Sequence, residues 1–228
     1  MIKNISNLGD AAVYCDFGSE VNKKVNLDVI NYFNSLSKFV KENEDYGINN
    51  ITPSYNKLII SFDISIRSYL EVREVVLNLK ISNDVKNSQK KIKVPVCCDN
   101  EFGLDFDRLL NKTKLSKEKI LDLYLNKEYF CYMTGFIAGM PFLGDINENI
   151  RCNRLETPRI KVPKGSVGIT EQFANIYTFE SPGGWNIIGN TPKKIFDDKN
   201  LVQPALVNPG DKVSFYQITK EEYLNWNE

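Results

Sequence analysis

The 228-residue chain contains no histidine, and this absence excludes several classes of functional site. Neither Ser-His-Asp nor Cys-His catalysis is possible within the chain, and no metal site can use imidazole ligands. Its five cysteines follow no metal-binding or redox spacing, so we expect reduced thiols and no bound transition metal. Any general acid or base must then be Asp, Glu, Lys, Tyr or Cys, or must come from a partner.

Net charge and long apolar runs are also missing. The 29 basic and 29 acidic residues cancel, so the composition favours neither nucleic acid nor an anionic membrane as a partner. No apolar run is long enough to span a membrane, and the N-terminal residues MIKNISNLGD lack the apolar core of a signal peptide. We therefore expect a cytoplasmic protein.

Glycine and proline are abundant in one part of the chain, residues 135–192. Eight of the 13 glycines and five of the nine prolines fall there. Glycine reaches backbone angles that other residues avoid, and proline fixes its own φ, so the chain must bend tightly at many points. Two interpretations stay open from local chemistry: a site built from loops, or a small β-barrel whose corners require these turns.

Hydrophobic periodicity predicts an α+β sandwich over residues 1–85, with two helices on one face of an antiparallel sheet. Apolar residues recur at helical spacing in two segments, and β-prone runs flank them. The predicted elements are the strand Ala11–Phe17, a helix over 20–41, the strands Ile48–Thr52 and Leu58–Asp63, and the helix Leu70–Leu79. The polar segment Ser82–Lys91 is the predicted linker.

The pattern changes after the linker, and residues 90–228 are predicted to form a β-barrel domain. One strand and two helices come first, and from Tyr129 onward the apolar period is two. The predicted elements are the strand Ile92–Cys97, helices near Leu104–Leu110 and Lys117–Leu125, and the strands Tyr129–Met133, Ser166–Thr170, Asn175–Phe179, Trp185–Ile188 and Lys212–Ile218.

Four linked motifs in the glycine-rich part carry a family resemblance. They are Gly135-Phe136-x-x-Gly139-x-Pro141-Phe142-Leu143-Gly144, Leu155-x-Thr157-Pro158-Arg159, Val162-Pro163-x-Gly165-Ser166-Val167-Gly168-Ile169, and Ser181-Pro182-Gly183-Gly184-Trp185 continuing to Ile188-Gly189-x-Thr191-Pro192. In order and spacing they resemble the family that contains the B subunit of 5-oxoprolinase, the sporulation-kinase inhibitor KipI and allophanate hydrolase subunit 1. The resemblance implies that the barrel is cyclophilin-like.

The resemblance also implies a function. The first hypothesis is a subunit of an ATP-dependent 5-oxoprolinase, a hydrolase that opens 5-oxoproline to glutamate together with an allophanate-hydrolase-subunit-2-like partner and a third subunit. Because the chain has no glycine-rich phosphate-binding loop, it would share ATP with its partners and would be inactive alone. The alternative is a KipI-like inhibitor that docks its barrel on a histidine kinase. A biotin-linked carboxyl-transfer role, as in urea-degrading relatives, is a third and more distant hypothesis.

Cations and backbone amides cluster between two of the motifs and form the first candidate site. Arg159, Lys161 and Lys164 bracket Pro163, and the amides of Gly165 and Ser166 follow at once. Fixed cations beside free N–H groups would suit a carboxylate or a phosphate. The alternative is a solvated hairpin edge on which lysines discourage strand pairing. Glu180 is an acidic candidate, although such a residue more often caps a turn.

Four apolar residues form the second candidate site, for a substrate or a partner. Trp185 follows two glycines and could stack on a flat amide ring, while Phe136, Met140 and Phe142 could line an apolar groove for a kinase helix bundle. The alternative for each of them is packing inside the barrel.

Several positions depart from the family pattern. Residues 171–175 (EQFAN) stand where the family usually has GGQTG, and Asn190 stands where an arginine usually precedes the last Thr-Pro. Met140 replaces an aromatic residue. The turn glycines and prolines remain, so we expect the fold to be kept and the chemistry of the site to be altered.

Overall fold

A computed structural model describes residues 1–82 and 89–227, which form two compact units, Met1–Gln89 and Lys90–Glu228. That residues 1–85 and residues 90–228 are two separate domains stays a prediction. Most of the predicted linker Ser82–Lys91 lies outside the described residues. In the parts of the chain that the structure describes, no helix is long and apolar enough to cross a membrane.

The first unit is a four-stranded antiparallel sheet with strand order β1-β2-β4-β3 and two helices. Its elements are β1 (Asn4–Asn7), β2 (Ala12–Asp16), α1 (Lys23–Glu42), β3 (Ile48–Pro53), β4 (Lys57–Phe62) and α2 (Tyr69–Asn78). Alternate residues of β2 and β4 are buried, and they share one hydrophobic core with Val29 and Leu36 of α1 and Val72 of α2. The mixed helix and strand content follows the prediction; the description as a sandwich stays a prediction.

Side chains cap both helices of this unit at their N-termini. Asn22 accepts a hydrogen bond from the Val25 N–H at 2.9 Å at the start of α1. Ser68 and Glu71 form a reciprocal capping box at the start of α2. Such caps satisfy N–H groups that have no partner within the helix, which is why the helices begin at these residues.

The second unit is a closed seven-stranded barrel with the strand order β10-β7-β6-β13-β5-β12-β9, so the predicted closed barrel is confirmed. Its elements are β5 (Lys91–Cys97), α3 (Phe106–Thr113), α4 (Lys117–Leu125), β6 (Glu128–Thr134), β7 (Pro141–Gly144), β8 (Arg159–Val162), β9 (Ser166–Thr170), β10 (Phe173–Ile176), β11 (Ser181–Gly183), β12 (Asn186–Asn190), β13 (Lys212–Ile218) and α5 (Lys220–Leu224). Strands β8 and β11 stand apart from the barrel as a two-stranded ribbon. The name cyclophilin-like stays a prediction.

Because side chains alternate along each strand, residues of the same barrel strands belong to two different apolar clusters, one on each face. Val167, Ile169 and Ile188 belong to the large core with residues of the other barrel strands and of α3 and α4. Their neighbours Gly168 and Ile187 pair with one another on the opposite face of the same strands. There a second, smaller cluster forms from Met140, Val162, Tyr177, Trp185 and Ile187, which we call the outer layer. Because Val162 belongs to β8, the ribbon packs on this outer face.

Candidate functional site

The apolar candidates do not form an open groove. Met140 and Trp185 are 1% and 4% exposed and lie within the outer layer, and the Phe142 ring meets the Trp185 ring edge-on with centroids 5.7 Å apart. Phe136 is 67% exposed, with a positive φ of 68°. Packing between the barrel and the ribbon buries the Met140 and Trp185 side chains, so this arrangement does not support a stacking surface or kinase-binding groove at these two residues, and their role in binding stays a prediction.

Arg159 forms a partly buried ion pair that sequence reasoning missed. Its Nη2 lies 2.6 Å from Oδ1 of Asp105, whose side chain is only 6% exposed. The other carboxylate oxygen of Asp105 accepts the Ile187 N–H at 2.6 Å, and the Asp105 N–H donates to the Ile187 oxygen at 3.0 Å. Through Asp105 the guanidinium joins the ribbon to β12, while its other terminal nitrogen, Nη1, is buried and has no hydrogen-bond partner among the described residues. Asp105 belongs to no motif, so no sequence signal identified it.

The two amides of the predicted anion site, those of Gly165 and Ser166, donate to backbone oxygens of the protein itself. Gly165 donates its N–H to the Tyr177 oxygen at 2.7 Å, and Ser166 donates to the Pro163 oxygen at 3.2 Å. Both N–H groups therefore have acceptors within the protein, so these contacts do not support an anion site that uses them, and the anion site stays a prediction.

Lys161 and Glu180 pair with one another on the exposed surface of the ribbon. The Lys161 Nζ lies 3.1 Å from a Glu180 carboxylate oxygen, and both side chains are exposed. Exposed pairs of this kind contribute little to stability. The alternative of a solvated hairpin edge describes these two residues better than a catalytic role for Glu180.

A buried amide without partners lies on the barrel wall beneath the ribbon. Asn175 pairs with Gly168 and Phe142 on the neighbouring strands and is 0% exposed, and among the described residues neither polar atom of its amide has a partner with hydrogen-bond geometry. Burial raises the pKa of the Tyr177 hydroxyl, and the nearby Asn175 amide only partly offsets this rise.

Two of the family-like motifs meet at an open cleft of about 420 Å³. Gly165 has φ of +82°, and a Cβ at this position would lie 2.4 Å from the Thr191 oxygen, so only glycine lets the two segments approach so closely. We call this the lysine cleft, after Lys164, Lys193 and Lys194. The residues that line it are Lys164, Gly165, Tyr177, Thr178, Thr191, Pro192, Lys193, Lys194, Ile195 and Tyr223. Sequence reasoning identified the motifs here but not Lys193 and Lys194.

The cysteines are free and buried, as expected for reduced thiols. Burial raises the pKa of Cys15 and of Cys98 to about 12, so both stay protonated near neutral pH. A protonated thiol is a poor nucleophile. Across residues 1–82 and 89–227, no group of three or more Cys, Asp or Glu side chains could hold a metal ion.

Comparison with known proteins gives one family and several relatives. The family model of the carboxyltransferase domain, subdomain C and D, matches residues 3–207. The chain is 33% identical to the 5-oxoprolinase B subunit of Bacillus subtilis, over 98% of this chain and 96% of that protein. It is 36% identical to the 5-oxoprolinase B subunit of Haemophilus influenzae, over 74% of this chain and 76% of that protein.

A solved structure shares the fold over most of the chain. The crystal structure of TTHA0988 superposes with a TM-score of 0.79 at 26% identity. The alignment covers 91% of this chain and 40% of TTHA0988, so the present chain spans well under half the length of that protein.

Proposed function

Because the chain belongs to the carboxyltransferase-domain family of subdomains C and D, and resembles 5-oxoprolinase B subunits, we propose that it is a subunit of an ATP-dependent 5-oxoprolinase. The observation that carries this proposal is the 33% identity to the Bacillus subtilis protein over 98% of this chain. The reaction would open the lactam of 5-oxoproline to glutamate. Within this proposal the barrel is cyclophilin-like and the protein acts in the cytoplasm.

The proposed enzyme is completed by an allophanate-hydrolase-subunit-2-like protein and a third subunit. A planar amide resists attack by water, and transfer of a phosphoryl group from ATP to its oxygen would turn that oxygen into a leaving group. The sequence has no histidine, and burial keeps Cys15 and Cys98 protonated, so the catalytic base would be an Asp, Glu, Lys or Tyr of this chain or would come from a partner. This chain would then contribute binding surfaces at an interface with its partners.

The experiment is to produce this chain alone and together with the two partner proteins. We expect the three-component complex to convert 5-oxoproline to glutamate with matched release of ADP, and each component alone to be inactive. Omitting ATP, or replacing it by a non-hydrolysable analogue, should stop turnover. A stable, correctly assembled complex that leaves 5-oxoproline unchanged in the presence of ATP would contradict the proposal.

The alternative, an inhibitor of a histidine kinase, has lost its supporting observation. It depended on an open apolar groove, but Met140 and Trp185 are buried in the outer layer. A kinase autophosphorylation assay with the purified chain separates the two functions, and we expect no inhibition.

A further inference from the structure

The lysine cleft has an unbalanced charge. Three of its lining side chains are lysines, and the described residues that line it include no Asp or Glu. Lys194 has a carboxylate partner outside the lining, since its Nζ lies 2.9 Å from an Asp197 oxygen. The Lys164 Nζ faces the Phe179 ring at 5.8 Å from the centroid. With Asp197 counted against Lys194, the cleft keeps about two positive charges.

Backbone contacts hold both sides of the cleft in place. The side-chain nitrogen of Asn190 donates to the Lys164 backbone oxygen at 2.9 Å, and the Thr191 backbone N–H donates to the Gly165 backbone oxygen at 2.9 Å. The Lys193 N–H donates to the Thr191 hydroxyl oxygen at 3.2 Å. Lys164 and Lys193 therefore project from two segments that are hydrogen-bonded to one another, and only their flexible side chains need to be ordered by a ligand.

The C-terminal helix α5 supports the same arrangement. Its residue Tyr223 donates a hydrogen bond to the Asn190 side-chain oxygen at 3.0 Å, and its ring packs against Phe102 with centroids 4.4 Å apart. A capping box between Thr219 and Glu222 fixes the start of α5. Asn190 is thus bonded through both ends of its amide to two residues that line the cleft, Lys164 and Tyr223, so this part of the lining is preorganised. Preorganised sites lose less entropy on binding.

We propose that the lysine cleft binds a phosphate dianion, either the terminal phosphate of a nucleotide or an acyl phosphate. A net charge of about two matches a phosphate dianion better than a singly charged carboxylate, and lysine ammonium groups bind phosphate as point charges. The volume of about 420 Å³ exceeds that of a bare phosphate group, which leaves room for the molecule that carries it. For the source of the phosphate, this inference rests on the proposed function.

The direct test uses the purified full chain and inorganic phosphate as the probe. Phosphate should raise the thermal unfolding midpoint above that in chloride of equal ionic strength, and calorimetry should give a saturable isotherm. The double variant Lys164→Met/Lys193→Met should weaken binding about tenfold or more, because two charge-assisted contacts are lost. Lys199→Met is the matched control: it removes an exposed lysine of the same segment that does not line the cleft, and binding should be unchanged.

Competition with bound phosphate then identifies which kind of phosphate compound the cleft takes. A non-hydrolysable ATP analogue displaces phosphate if the site takes a nucleotide, and acetyl phosphate displaces it if the site takes an acyl phosphate. Equal phosphate binding by the parent and a folded double variant, or saturable binding of 5-oxoproline or acetate without phosphate binding, would overturn the inference.

The fate of the inference can be separated from that of the proposed function. Suppose that the isolated chain does not bind phosphate and that the three-component complex is active, with the same KM for ATP and the same turnover in the double variant. That result would contradict phosphate binding in the lysine cleft and leave the proposed enzyme function standing. If the isolated chain binds phosphate but the assembled complex does not turn over 5-oxoproline, phosphate binding in the lysine cleft is supported and the proposed enzyme function is contradicted.

Discussion

Replacing Arg159 by alanine should destabilise the second unit before it affects any chemistry. The sequence motif places this residue where a cation could face a substrate, and on that hypothesis its loss would reduce turnover and leave the fold intact. The structure instead ties its guanidinium to the carboxylate of Asp105, which also accepts the Ile187 N–H. Arg159→Ala would leave that carboxylate buried with only a backbone partner.

The size of the effect follows from burial. Removing one partner of a fully buried ion pair costs about 3–5 kcal/mol, because the remaining charge stays desolvated. The Asp105 side chain is 6% exposed but that of Arg159 is 28% exposed, so water can partly replace the lost guanidinium. We therefore expect the free energy of unfolding to fall by about 2–3 kcal/mol. For a unit of this size the melting midpoint would fall by about 6–12 °C.

Urea unfolding of the full chain, followed by far-ultraviolet circular dichroism, measures this loss. Arg151→Ala removes an exposed arginine and should change stability by less than about 0.5 kcal/mol. The double variant Asp105→Asn/Arg159→Met should lose less than the two single changes combined, because it removes both charges of the pair. If the free energy of unfolding of Arg159→Ala lies within about 0.5 kcal/mol of the parent value, the structural role is refuted and a role of Arg159 in binding is favoured again.

The remaining predictions concern other parts of the chain. Trp185→Ala should cost about 3–5 kcal/mol in urea unfolding, because the indole is buried, whereas Phe136→Ala at an exposed site should cost far less. Gly165→Ala should cost about 2–4 kcal/mol, since its φ is +82° and a Cβ would clash. Because burial raises the Cys98 pKa from 9.0 to about 12, the unfolded state releases its proton first, and stability measured by urea titration should fall as pH rises from 9 to 12. Brief proteolysis should cut near Ser82–Lys91 and leave a stable C-terminal fragment; early cutting inside 135–192 would contradict this.

Elements with a clear period could be predicted closely from the sequence. The helix Lys117–Leu125 and the strands Ser166–Thr170 and Lys212–Ile218 have the bounds that the apolar pattern predicts. The short strands Pro141–Gly144 and Ser181–Gly183 were missed. Three or four residues rich in glycine and proline show no alternation, and their strand character depends on partners far along the chain.

The candidate site could be predicted only in part, for the same reason. Glycine and proline motifs predicted tight turns around Gly165, but they revealed neither the ribbon strand that contains Arg159 nor the hydrogen-bond partners of the two residues. Asp105 lies 54 residues before Arg159, and nothing in the local sequence connects them. Lys193 and Lys194 did leave a signal, since a pair of lysines directly follows the Thr191-Pro192 motif, but a lysine pair is also common on ordinary surfaces.

The departures from the family pattern have different consequences at two asparagines. Asn190 stands where the family usually has an arginine, and its amide is fully used: it donates to Lys164 and accepts from Tyr223. The positive charge that such an arginine would supply is absent at this position, yet three lysines line the neighbouring lysine cleft. Asn175, in the stretch that replaces GGQTG, is buried without hydrogen-bond partners among the described residues. The lysine cleft therefore retains positive charge despite the substitution at Asn190, whereas the wall beneath the ribbon carries the buried Asn175 amide. Variants of the cleft lysines should change binding, and variants of Asn175 should change stability.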